Sequence, residues 1–366
     1  MAIFHWIKTE LTKTLDGPLV ALIFTLFVIS LGMLYSSSQG DVGAVMTQAK
    51  HFAIALVLMW VVAKAPLEYL SRLALPLYLF ALVLLILTAL IGEESKGAQR
   101  WLDLQVIRIQ PSELLKIALP LMLAWYFDRY ERVLRPINYL VAALLLLVPV
   151  ALILRQPDLG TAILVFASGF FVLFFAGMSI RIFGFIATLA LLVMPFAWGL
   201  LHAYQQRRIL MLLNPSADPL GAGYHIIQST IAIGSGGFLG KGWMDGTQSQ
   251  LNFLPEGTTD FIFAVFGEEF GFVGVLLIFL VYALLIWRGL KIAAQAPSLF
   301  SRLAAISITM TFFIYVFVNV GMVIGLLPIV GVPLPLVSFG GSSAATVLLG
   351  MGVLMNFRAN RRIVQT

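Results

Sequence analysis

Apolar runs long enough to cross a hydrocarbon core, about 20 residues each, recur along the whole 366-residue chain, and no other feature constrains its fold as tightly. Ten are legible, at 17–36, 49–65, 72–92, 112–127, 137–154, 160–177, 182–202, 260–287, 303–327 and 340–357. Backbone embedded in lipid must satisfy its own N–H and C=O groups, so each run is expected to be a helix. The predicted fold is an all-α integral membrane protein, about ten transmembrane helices forming one polytopic domain over residues 1–366. Composition agrees, because 60% of the residues are hydrophobic and only 11% charged, too few to clothe a soluble domain. The first residues, MAIFHWIKTELTKTLDG, show no cleavable signal pattern, so the first run is expected to be a retained anchor.

An even number of spans puts both termini on one side, and Lys and Arg say which. With the N-terminus inside, fourteen of the 23 cations fall in cytoplasmic segments, among them Lys64, Arg72, Arg129, Arg181, Lys291 and Arg358. Only five lie on short outer segments. Acidic residues gather outside, including Asp103, Asp158, Asp245, Glu256 and Asp260, so carboxylate chemistry is expected to face outward. The net charge of +6 is therefore a topology signal and does not point to nucleic acid. Cysteine is absent, which excludes disulfides, thiolate metal sites and a cysteine nucleophile, and the four histidines have no metal-ligand spacing. Nearly all connections are short. The exception is residues 203–259, predicted to be a long extracytoplasmic loop between spans seven and eight, too poor in apolar residues to fold alone and so expected to pack back onto the helices.

Several polar groups sit where a bilayer makes them costly. Asp260 stands where the long loop returns to the membrane; it is either a helix N-cap or a carboxylate whose partial desolvation suits it to general-base work. Glu268 and Glu269 follow about 12 Å deeper on the same helix, as buried partners of a cation or as functional groups. Glu113 and Lys116, in QPSELLKIALPL, share a helix face and could bridge each other or reach another span. Lys96, Arg100 and Trp101 in KGAQRWLDL offer charge and a ring surface to an anionic, sugar-bearing head group, although Trp101 alone would fit an aromatic belt. Arg155 is an outward cation that either pairs with Asp158 or binds phosphate; Arg207 and Arg208 lie in the long loop. The glycine-dense IAIGSGGFLGKGW has Ser235 and Gly242 where a phosphate-binding loop needs Gly and Ser or Thr, and Leu239 in place of the third glycine of a dinucleotide fingerprint. It is expected to be a flexible loop. PLPLVSFGGSS, at membrane depth, must line a cavity or be buried in protein.

KGAQRWLDL, QPSELLKIA, QPDLGTA, GAGYHIIQSTIAIGSGG, GKGWMDGTQSQLNFLPEGTTDFIFAVFGEE, VFVNVGM and VGVPLPLVSFGGSS, in this order, resemble the signatures of the SEDS (shape, elongation, division, sporulation) family, on its elongation-type side. The resemblance runs from the first span to the last. It implies a peptidoglycan glycosyltransferase of the bacterial cytoplasmic (inner) membrane that polymerises lipid II, works with a class B penicillin-binding protein and other elongation-complex membrane proteins, and handles undecaprenyl-linked glycan. It maps the catalytic aspartate onto Asp260 and important positions onto Arg100, Trp101, Glu113, Lys116 and Glu268 or Glu269. The family often carries histidine where this chain has Thr258. Inverting transfer needs one base, Asp260, and a cationic cradle for the leaving pyrophosphate, drawn from Lys96, Arg100, Arg155, Arg207 and Arg208. A divalent cation, Mg or Mn, bridging phosphate oxygens is the one cofactor to consider. The alternative, a lipid II flippase, would instead use Glu113, Lys116, Glu268 and Glu269 to line a transmembrane path.

Overall fold

The computed structural model describes residues 14–95, 98–103, 108–130, 135–197, 199, 206, 210–218, 223–251, 253–254 and 256–360. Its helices are α1 (Gly17–Ser37), α2 (Val42–Lys64), α3 (Leu67–Ile91), α4 (Pro111–Arg129), α5 (Pro136–Arg155), α6 (Leu159–Phe175), α7 (Ile180–Ala197), α8 (Tyr224–Ser235), the short α9 (Thr247–Gln250), α10 (Ile262–Ala294), α11 (Leu299–Val323) and α12 (Gly341–Ala359). Each of the ten predicted runs falls on one of them. Among the described residues six, α1, α2, α3, α5, α10 and α11, are long and apolar enough to cross a membrane, and α6 is apolar but shorter at 17 residues. Lipid-facing stripes are plain, with Phe24, Phe80, Leu90 and Leu277 all more than half exposed. So much exposed apolar surface requires a bilayer. The protein is an integral membrane protein.

Helix starts follow local chemistry. Asp16, Asp41, Asp158 and Ser298 cap α1, α2, α6 and α11 by accepting N–H groups of the first turn, while Pro111 and Pro136 open α4 and α5 without wasting a donor. Asp16 does more. Fully buried, it binds Arg288 near the end of α10 through Nη2 at 2.6 Å and Arg358 near the end of α12 through Nε at 2.8 Å, tying three helix ends together. Burial pushes the Asp16 carboxyl up, but the Arg288 hydrogen bond, the Leu19 N–H and the Arg358 charge outweigh it and hold the group below the ordinary carboxylate range.

Helix α11 is the central helix and packs against α4, α6, α10 and α12. Two features depart from the all-helical expectation. Strands β1 (Glu93–Ser95), β2 (Ala98–Asp103) and β3 (Arg108–Ile109) form a small antiparallel sheet in that order, with Glu93 opposite Trp101 and Leu102 opposite Ile109. The KGAQRWLDL segment thus lies largely on strand. Helix α10 is broken at Gly271, whose φ of 62° and ψ of −162° are not helical. The carbonyls of Glu268 and Glu269, which lose their helical partners there, accept N–H groups from Lys241 and Gly242 at 3.0 Å, and Phe272 and Val273 donate to the carbonyls of Gly237 and Phe238. The glycine-dense segment is therefore not the flexible loop that its composition suggested. It is docked backbone to backbone in the break, where a Cβ on Gly240 would stand 2.1 Å from the carbonyl oxygen of Glu269.

Candidate active site

Asp260 is held at the mouth of α10, just before its N-cap Phe261. It lines a cavity of about 280 Å³ together with Arg100, Trp101, Glu113 and Lys116. Five of the sequence-nominated residues, spread over 160 positions, converge there. Glu256, Gly331, Gly340, Ser342 and Ser343 are among the other residues of its wall. PLPLVSFGGSS meets both alternatives, since Pro333, Phe339, Gly340, Ser342 and Ser343 line the cavity while Leu334, Leu336, Val337 and Ser338 are buried in protein.

The charges in the cavity are organised in pairs. Lys116 Nζ lies 2.5 Å from Glu113 Oε1 and 2.5 Å from the hydroxyl of Tyr315, so the pair both bridges within α4 and reaches across to α11. Glu113 Oε2 has no hydrogen-bond partner among the described residues. Arg100 Nε stands 3.4 Å from Asp158 Oδ2, and Asp158 also accepts from the backbone N–H and hydroxyl of Thr161. Arg108 lies over the Trp101 ring at 5.9 Å. The pairing of Arg155 with Asp158 needs correcting: Asp158, carried by the turn after α5 to the start of α6, pairs with Arg100, and Arg155 is exposed at the end of α5, outside this cavity. Lys96, Arg207 and Arg208 lie outside the described residues.

Glu268 and Glu269 are buried but take no part in the cavity. Glu268 Oε1 accepts from Lys241 Nζ at 2.7 Å, Thr247 Oγ1 at 3.1 Å and Gln248 N–H at 3.0 Å, and Oε2 accepts from Ser249 N–H at 3.3 Å. It is an anchor for the loop. Glu269 accepts from the Ser36 hydroxyl on α1 and keeps Oε2 without a hydrogen-bond partner among the described residues. His225 on α8 stacks on Phe261 at 5.6 Å and 14°, next to Asp260 in sequence. Burial holds its imidazole below the usual value, against the lifting charge of Glu256.

Sequence reasoning missed Tyr315 and Asn319 as site residues, although a signal was present. Ser307, Thr311, Tyr315 and Asn319 recur every fourth residue through an apolar helix, a polar stripe that must face protein and not lipid. Among the described residues no group of three or more His, Asp or Glu side chains is placed to hold a metal.

The comparisons agree with this geometry. The Cell cycle protein family of FtsW, RodA and SpoVE matches residues 15–363. The peptidoglycan glycosyltransferase MrdB of Escherichia coli (strain K12) is 48% identical over 351 residues, covering 96% of this chain and 95% of that protein. MrdB of Helicobacter pylori (strain ATCC 700392 / 26695) is 38% identical over 353 residues, covering 93% and 89%. Among solved structures, a chain of a peptidoglycan synthase complex that coordinates polymerization and crosslinking superposes with a TM-score of 0.82 at 35% identity, over 95% of this chain and 98% of the other. The rod shape determining protein RodA of Thermus thermophilus gives 0.72 at 31% identity, over 95% and 97%. With a family match over nearly its whole length and the same fold as solved relatives, the chain belongs to the FtsW, RodA and SpoVE family of cell cycle proteins.

Proposed function

We propose that the chain is the peptidoglycan glycosyltransferase of an elongation machinery, polymerising lipid II into glycan strands. The observation that carries this is the placement of the Asp260 carboxylate in one cavity with Arg100 and Trp101. A sugar hydroxyl of the acceptor attacks the anomeric carbon of the donor strand; Asp260 takes the hydroxyl proton, the new glycosidic bond forms as the bond to the pyrophosphate breaks, and undecaprenyl pyrophosphate departs with the bonding electrons. One displacement inverts the anomeric centre from alpha to beta. Trp101 gives a sugar ring a flat surface, and Arg100 together with the uncapped first-turn N–H groups of α12 stabilises the developing negative charge.

A flippase would need its intramembrane charges to line a path, yet Glu268 and Glu269 take no part in the cavity and Glu268 is held by loop donors, which favours the polymerase. The reading further places residues 203–259 outside the cytoplasm, both termini in it, and the chain in the bacterial inner membrane beside a class B penicillin-binding protein. The test uses purified protein and labelled lipid II in detergent, where there is no bilayer to flip across. Wild type should build strands, and Asp260→Asn, which keeps size, should lose the 10²- to 10⁴-fold typical of a missing general base while staying folded. Normal strands from Asp260→Asn would remove Asp260 from the mechanism.

A further inference from the structure

A catalytic carboxylate works only if its backbone is fixed, and Asp260 lies outside regular structure, in the turn that precedes α10. Its carbonyl, and the two before it, need donors from elsewhere. Each finds one. The carbonyl of Thr258 accepts the Phe339 N–H at 3.0 Å, that of Thr259 accepts the Ser338 hydroxyl at 2.6 Å, and that of Asp260 accepts Asn319 Nδ2 at 2.9 Å. The same Nδ2 donates its second hydrogen to the carbonyl of Val332 at 2.7 Å. Two converging carbonyl oxygens can be bridged only by the amide nitrogen, which fixes the orientation of the side chain.

Val332 matters because it and its neighbour Gly331 form the cavity wall that faces Asp260. A Cβ added at Gly331 would stand 3.5 Å from Asp260 Oδ2. One amide therefore ties the base to the wall opposite it. Asn319 is fully buried in the C-terminal part of α11, four residues before the helix ends at Val323, so its own position is set by packing. Ser338 is itself braced, since its carbonyl accepts from Gln48 Nε2 at 3.1 Å and its hydroxyl accepts the Leu334 N–H at 2.8 Å.

Building on the reading of Asp260 as the base, we propose that Asn319 is a positioning residue of the transfer reaction: it acts through Asp260, setting the distance between the carboxylate and the cavity wall against which the sugar must lie. The amide touches no cavity surface, so it should govern turnover and leave substrate affinity nearly alone.

The structure supplies a control for mere stability. Asn356 on α12 plays a similar part far from the cavity, its Nδ2 bridging the carbonyls of Val62, Ala63 and Ala65 at the other end of the bundle. Asn319→Leu and Asn356→Leu each delete a buried amide that holds backbone, and both should melt lower than wild type. Strand synthesis from lipid II, normalised to folded protein, separates them. Asn319→Leu should lose about 10²-fold in kcat, the scale of a misplacement near 1 Å, with KM within about two-fold by the same argument, while Asn356→Leu keeps a normal kcat. Asn319→Ala repeats the measurement should the leucine variant not fold. Normal kcat in a folded Asn319 variant, or an equal kcat loss in Asn356→Leu, overturns the proposal. Asp260→Asn is assayed in the same series: if it polymerises normally, it is the base assignment that has failed, whatever the Asn319 variants do.

Discussion

Lys116→Met tests whether the intramembrane pair holds the protein together. The ammonium is 4% exposed, contacts Glu113 Oε1 and the Tyr315 hydroxyl at 2.5 Å each, and sits 4.9 Å from the Tyr315 ring centre. Methionine fills much of the same space but leaves Glu113 facing the cavity with neither oxygen compensated, because Oε2 already lacks a hydrogen-bond partner. Breaking a buried pair from one side costs about 3–5 kcal/mol. Replacing both partners costs far less, since no lone charge remains. The double variant Lys116→Met, Glu113→Gln should therefore melt above either single variant, a coupling of the sign expected for residues in direct contact. The measurement is thermal unfolding of the four proteins in one detergent, followed by intrinsic fluorescence. Single variants that melt with wild type, or a double variant that melts below both singles, would refute the reasoning. Strand synthesis should stay low in the double variant, because both side chains line the cavity that holds Asp260 and stability alone does not restore its charge.

Two further outcomes follow from the same geometry. Gly240→Ala should unfold well below Gly237→Ala: both glycines have positive φ, but a Cβ at 240 meets the Glu269 carbonyl at 2.1 Å whereas one at 237 meets nothing within 4 Å, so equal melting of the two would contradict a docked loop. The chain has no native cysteine to confuse labelling, so a cysteine at exposed Asp245 should react with an impermeant thiol reagent from outside intact cells and one at exposed Gln295 should not; the opposite pattern would invert the orientation.

How much of this was legible depends on how far each determinant reaches along the chain. The helices were legible because the bilayer acts on each segment separately, and each apolar run falls on a helix, although among the described residues only six of these helices are long and apolar enough to cross a membrane. The break in α10 was not, because Gly271 is one glycine among several in GEEFGFVG, and only the arrival of Lys241 and Gly242, some thirty residues upstream, makes a non-helical carbonyl tolerable there. The strands were hidden for a related reason: β1 to β3 are short and charged, and their pairing depends on the segment being laid over the bundle.

The site divides along the same line. Asp260, Arg100, Trp101, Glu113 and Lys116 could be nominated because a charge or an indole at a membrane boundary is conspicuous one residue at a time. Arg155 was conspicuous for that reason too and yet lies outside this cavity, because a place at a helix end cannot be told from a place in a cavity wall without knowing the turn that follows. Asn319 failed in the other direction. It carries no charge and touches no cavity, and its role lies entirely in two carbonyls, one 59 residues before it and one 13 after. A residue that acts through the backbone of another leaves no mark in its own surroundings. The every-fourth-residue polar stripe on α11 shows only that something polar must meet that face, and what its Asn319 meets is the pair of carbonyls of Asp260 and Val332.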